Sequence, residues 1–458
     1  LRQEESNPET GTKLQKITIK KERETMLDII TGILLLLVFV GLVVYCMKGG
    51  NLLIGFIATA VLWCVIGRVP INEVVSDVFQ KPLDDYGKTI AIIIFGAWFG
   101  RILVDTGIAG YIIKKTVEFA GDRPLVTTLL LCITCNLLFT SVFGVGSVMA
   151  IGMIVLPILF SMGVEKRAAL GAYMLSVAGG MYLNIAYVSQ FEKVFGEEVA
   201  SYNDNYIRFA LMATAIHMVI MIAFVVYHHF KSNKRGRRRA WEAGVQDSYE
   251  EKPLGWYCFI VPFVPIAMVG IFKWQPVPAF LLGSFVGLLF TRNLRTYKTA
   301  VDKTQKTLYD GVADSGLLIG MLYSVNIFQG AATKVVPYLQ TLLGDVVPRS
   351  EIVVLAAFCI LAPLALFRGP LMIWGSGIAL YSILNATGAF NPHFLYAIFL
   401  IPPVAIVASA CPTQSWTMWG LSYAKVEPKQ YIKTNLPWAW ASLIAIEILI
   451  YFTIGRMV

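Results

Sequence analysis

Long apolar runs alternate with short polar turns from residue 27 almost to the end of the chain, and their lengths predict helices that cross a bilayer. The first span is expected over about 27–47, closed by the turn Lys48-Gly49-Gly50-Asn51, and the second over about 52–66. A net acidic loop (Glu73, Asp77, Asp84, Asp85) leads to a third span at about 88–104, where Arg101 and Asp105 stand four residues apart and are expected to pair. The amphipathic segment 107–120 reads as an interfacial helix lying along the membrane. Further spans are expected at about 167–190, interrupted at Gly179-Gly180, and at about 206–230. The second half places spans near 256–272, 278–290, 311–328, 392–411 and 436–454, with a short amphipathic stretch at 331–343.

Two segments do not fit single crossings. Between 350 and 388, two apolar arms of roughly 17 residues flank Arg368-Gly369-Pro370, each barely enough for one passage at about 1.5 Å per residue. Proline interrupts the helical bonding and glycine loosens the turn. Between 123 and 163, one arm leads through Asn136, Thr140 and Ser141 to a Gly144-Val145-Gly146-Ser147 break, and a second arm returns. Both read as re-entrant hairpins, whose broken backbone survives at depth only inside protein or beside a wet cavity.

Composition agrees and narrows the class. Of 458 residues, 57% are hydrophobic and 15% charged, against about 25% charged in soluble domains. The net charge of +9 sits largely in short loops, where it sets orientation and implies no nucleic acid. The seven cysteines lie in or beside apolar segments, and Cys132-x-x-Cys135 has no second pair, so neither disulfides nor a metal site are expected. No P-loop, H-E-x-x-H spacing or nucleophile–base set is present, so neither an enzyme nor a cofactor is expected. The expected fold is an all-α polytopic membrane protein of two inverted repeats, with about ten transmembrane helices and two hairpins. Its parts are a polar tail (1–26), unlike a secretory leader; a first repeat (27–230); a basic cytoplasmic linker (231–253); and a second repeat (254–458).

The halves match in order. Gly87 and Gly311 each open a span with a second glycine nine residues on, at Gly96 and Gly320. An amphipathic segment ending in Gly-Asp follows each, then an arm with Cys-Ile, a break, a return, and an interrupted span, broken at Gly179-Gly180 or around Pro412-Thr413. Five crossings per half invert the second against the first. Placing the basic block 231–239 inside also puts Lys114-Lys115, Lys166-Arg167 and the 292–306 and 425–433 loops inside.

Hairpins of opposite orientation meeting near the midplane make a substrate site. The candidates are Asn136, Thr140, Ser141, Ser147 and Asn184 in the first half, and Arg368, Gly369, Thr413, Gln414 and Ser415 in the second. An arginine inside a span costs about 2.5–3.5 kcal/mol on insertion scales, which an anionic ligand offsets. The plainer reading is pairing with a carboxylate, and for the hydroxyls and amides, satisfaction of helix ends. Asp314 and Glu447 are the acids within spans. Either is a candidate for a coupling proton, or a partner for a buried base.

The segment GKTIAIIIFGAWFGRILVDTGIAGYIIKKTVEFAGDR (87–123) resembles the corresponding part of the gluconate permease family. The hairpin and interrupted-span plan resembles the wider ion transporter superfamily, which includes citrate symporters. The resemblance implies a dimeric secondary carrier of organic anions in the cell membrane, working by an elevator motion. The first tip, LFTSVFGVG, lacks the acid associated with gluconate permeases, and the Ser-Asn-Thr signatures of sodium-coupled dicarboxylate carriers are absent. The function expected is symport of a small carboxylate with H⁺ or Na⁺. A cation/proton antiporter would need a titrating acid at the site, where Arg368 stands instead. An anion channel is disfavoured by two hairpins that plug the midplane.

Overall fold

The computed structural model describes residues 8–233 and 254–453, apart from 49, 85, 122 and 344–347. Every regular element among them is helical, as a chain surrounded by lipid requires of its backbone. The first half runs α1 (Pro8–Met47), α2 (Leu52–Ile66), α3 (Gly87–Asp105), α4 (Ile108–Ala120), hairpin arms α5 (Pro124–Phe139) and α6 (Val145–Ser161), the halves of a broken helix α7 (Lys166–Met181) and α8 (Ile185–Val188), and α9 (Asp204–Asn233). The second half opens with a 3-10 segment (Trp256–Phe263) leading into α10 (Val264–Gly270). It continues through α11 (Pro276–Phe290), α12 (Tyr297–Leu343), arms α13 (Glu351–Ile360) and α14 (Gly377–Ala386), α15 (Pro392–Pro402) with a π turn (Pro403–Ala408), α16 (Ser415–Ala424) and α17 (Pro428–Phe452).

This is an all-α polytopic membrane fold. Five helices are long and apolar enough to cross a membrane alone, and up to seven crossings result if each of two bent pairs counts as one. The expected total of about ten therefore depends on short helices. At 15 residues each, α2 and α11 are about 22 Å long, against a hydrocarbon core of about 30 Å. Large apolar side chains such as Leu37, Val65 and Val219 stand on the outer faces, where lipid rather than water meets them.

The helices sort into two bodies. In one, α12 packs along α1, α2 and α3, and α11 packs against α3 and α10. In the other, α7 packs on α5 and α9, α17 packs on α9 and α15, and α16 packs against α6. The bodies meet where α12 touches α14 and where α3 touches α6, while α4 lies against α5.

Several local expectations are corrected. Residues 8–26 are the opening turns of α1 rather than a separate polar tail. The acidic 71–84 stretch is helical, with Lys334 of α12 reaching Glu73 (2.8 Å) and Asp77 (2.6 Å). The 311–328 span and the 331–343 stretch are one continuous helix that starts at Tyr297. Arg101 binds Asp314 rather than Asp105. Most of the basic linker, 234–253, lies outside the described residues.

The first broken helix parts after Met181, with a bend of 72°, and not at Gly179-Gly180. Those glycines lie inside α7, where their missing side chains let α5 come close. A Cβ on Gly180 would sit 2.4 Å from the Asn136 carbonyl oxygen, and one on Gly179 would sit 2.1 Å from the Asn136 amide nitrogen. The obstacle at Gly180 is backbone, which cannot rotate away. Gly180→Ala is therefore expected to destabilise the protein by about 1–3 kcal/mol, read as a lower unfolding temperature in detergent.

Candidate functional site

Both hairpin tips and both helix breaks converge on one cavity of about 410 Å³ between the two bodies, within the range of about 300–1,000 Å³ typical of small-molecule sites. The second tip is the most strained part. Phe367 and Arg368 adopt left-handed φ angles of 55° and 63° in succession, a conformation that side-chain-bearing residues rarely take and that costs on the order of 1–3 kcal/mol each. Three contacts hold it. The backbone N–H of Phe367 donates to Cys411 Sγ (3.3 Å), and the Ser376 N–H (3.0 Å) and hydroxyl (3.2 Å) both donate to the Arg368 carbonyl. Gly369 is required: a Cβ there would sit 1.9 Å from the Leu364 carbonyl oxygen.

The arm leading to this tip is less regular than expected. The α13 helix ends at Ile360, the chain bends by 65°, and 3-10 turns over Ala362–Arg368 carry it inward. The strained tip delivers the Arg368 side chain to the cavity, where Nη2 donates to Gln414 Oε1 at 2.9 Å. Gln414 is the N-cap of α16, and Thr413, Gln414 and Ser415 all line the cavity. Cys411 Sγ lies 3.1 Å from the Thr413 hydroxyl, so the second tip and the second break interlock. A guanidinium thus stands beside the positive end of a ten-residue helix.

The first tip supplies a second helix start. Gly144 precedes α6 with φ of 103°, which only glycine adopts freely, and Gly144, Val145 and Val148 line the cavity. From the other body, Asp314 also lines it. Its carboxylate takes a two-pronged bond from Arg101, Nε to Oδ2 at 2.6 Å and Nη2 to Oδ1 at 2.8 Å. A Cβ on Gly146 would lie 2.2 Å from Asp314 and 2.3 Å from Arg101, so the α6 terminus rests directly on this ion pair.

The residues singled out from sequence therefore separate. Arg368, Thr413, Gln414 and Ser415 face the cavity together, with Gly369 shaping the tip behind them. The first-half candidates serve other places. Asn184 caps α8 by accepting from the Tyr187 N–H (3.1 Å), and its amide donates to the Phe139 (3.0 Å) and Val142 (2.9 Å) carbonyls, tying the break to the first tip. The Thr140 hydroxyl turns back to the Leu137 carbonyl at 2.6 Å. Ser147 faces Gly100 of α3. Asn136 and Ser141 are buried away from the cavity wall. Sequence reasoning passed over Gln190, Tyr187, Trp374 and Asn51, which do line it. Gln190 alone had a signal, as an amide at the end of an otherwise apolar run.

No family model matches the sequence, and no curated protein matches it. The fold is similar to that of the Alcanivorax borkumensis YdaH transporter, whose crystal structure is described as revealing an unusual topology. The two share 13% sequence identity at a TM-score of 0.52, over 83% of this chain and 86% of that one. At this identity the likeness is one of fold.

Proposed function

We propose that the chain is a secondary active transporter that carries a small organic anion, a carboxylate, across the cell membrane in symport with H⁺ or Na⁺. The observation that carries this reading is Arg368, held by a strained tip in a cavity that also receives the N-terminus of α16. Both present positive potential to a site enclosed by apolar walls, and an anion is the ligand that arrangement favours. Asp314 is the acid that a cation/proton antiporter would need there, but both of its oxygens are engaged by Arg101. The resemblance of 87–123 to gluconate permeases, and of the whole plan to the ion transporter superfamily, supports a carboxylate cargo. The fold shared with a protein described as a transporter supports a role in transport.

The body that holds both hairpins and both breaks is the natural carrier. The body of α1–α3 and α10–α12 is the natural scaffold, and its apolar outer face suits a homodimer contact in the membrane. A panel of gluconate, citrate and succinate tests the reading. One of these is expected to raise the unfolding temperature of the purified protein and to leave Arg368→Ala unmoved. At a concentration one hundredfold above Kd, the stabilisation is about 2.7 kcal/mol. No shift of the wild type with any carboxylate would count against the proposal.

A further inference from the structure

Behind the first broken helix lies a second polar cluster that the anion cavity does not use. Glu447 sits in the middle of α17 with no exposed surface, and neither carboxylate oxygen has a hydrogen-bond partner among the described residues. The base expected to pair with it is not there: none of the ion pairs formed by the described residues includes it. His217 of α9 is equally buried, with both ring nitrogens unpartnered, and its ring centroid lies 5.9 Å from that of Tyr182. The Tyr182 hydroxyl is also buried without a partner among the described residues, and α17 packs directly on α9 and on α7, the helix that ends at Met181. Asn136 completes the group: its amide and the His217 ring both border Gly179, and both of its amide atoms lack partners.

Three helices and the break after α7 thus carry buried polar side chains without partners among the described residues inside the carrier body. A charged carboxylate enclosed in this way, with no cation and no donor, costs several kcal/mol, whereas the neutral acid costs far less. Other titratable groups also border α17, among them Tyr227 of α9, whose ring lies 5.6 Å from that of Trp438. Cys359 of α13 borders α17, its carbonyl accepting from Trp440 Nε1, α15 with its π turn contributes His393 and Tyr396 by sequence, and Arg368 points to Gln414 in the cavity.

We infer that Glu447, enclosed where α17 packs on α9 and α7, is a proton-binding site that loads and empties during the transport cycle. This rests on the transporter reading and assigns the coupling ion as H⁺. The chemistry is a single exchange: water delivers a proton to the carboxylate oxygen from one side of the membrane, and the same O–H bond is broken toward the other. The link to cargo is the break itself. Met181 lines the anion cavity at the end of α7, which packs on α17, while Tyr182, the next residue, sets its ring against His217. A shift of this break on anion binding therefore changes the surroundings of Glu447.

Infrared titration of the full-length protein in lipid tests the site without any cargo. A protonated-carboxyl carbonyl band is expected to appear on acidification of the wild type and to be lost in Glu447→Gln. That amide keeps the shape of the neutral acid, so the variant is expected to unfold at nearly the wild-type temperature. The band is expected to persist in Arg368→Ala, so failure of the anion reading and failure of the proton site are told apart. Identical pH difference spectra for wild type and Glu447→Gln would overturn the inference. So would a Glu447 band that stays constant from acidic to alkaline buffer, which marks a permanently neutral structural acid.

Discussion

Arg368→Ala is expected to abolish carboxylate uptake by the protein in liposomes while leaving a folded, inserted chain. The bonds that hold the strained tip run through the backbone of Phe367 and Arg368 to Cys411 and Ser376, and truncating the side chain leaves them in place. What is lost is a charge-assisted bond to the anion, worth about 1.5–3 kcal/mol, or roughly 10- to 150-fold in affinity. Loss of the neutralising charge adds to this, because the anion would then enter a poorly solvated site unpaired. Arg368→Lys keeps the charge but not the planar fork, and is expected to lose most of the affinity. Equal uptake by the wild type and Arg368→Ala would place the anion elsewhere.

The second large effect is a displacement. If the hairpin body carries the cavity across the membrane, labels on the two hairpin tips keep nearly constant separation through the cycle. Distances from either tip to a label on α2 are expected to change by several ångströms or more. Pulsed electron-spin distance measurements with and without a bound carboxylate read both. The interface is suited to such sliding. Apart from the Arg101–Asp314 pair resting on Gly146, the α2 and α12 side chains that line the cavity are mostly apolar, such as Leu52, Leu53, Leu317, Leu318 and Met321. Tips that separate from each other while keeping their distance to α2 would show local gating instead, and the elevator would be wrong.

What the sequence made legible was the part governed by single-residue costs. An arginine between two half-length apolar arms, beside Gly369-Pro370, marks the second tip, and the structure puts that side chain in the cavity. Pro412-Thr413 marks the second break for the same reason. The first break was misplaced because glycine carries two meanings. Gly179-Gly180 interrupts the apolar run, but its function is close helix approach, while the real break is capped by Asn184, three residues beyond the end of α7 in a turn of ordinary side chains. Pairing across the fold was not legible at all. Arg101 has an acid at the favourable four-residue spacing and still chooses one on α12, 213 positions away. Likewise the polar stretch 297–310 hides the continuity of a 47-residue helix, because charge pattern reports surroundings and not where a helix ends.

The short helices α2 and α11 have a consequence for the membrane rather than for the protein. Their apolar lengths fall several ångströms below the hydrocarbon thickness, a mismatch that local thinning of the bilayer, flanking side chains reaching to the interface or association with neighbouring helices takes up. Of these, thinning is the one that depends directly on lipid chain length. If the hairpin body moves a cargo past them, such thinning narrows the dielectric barrier it crosses, and transport is then expected to depend on lipid chain length.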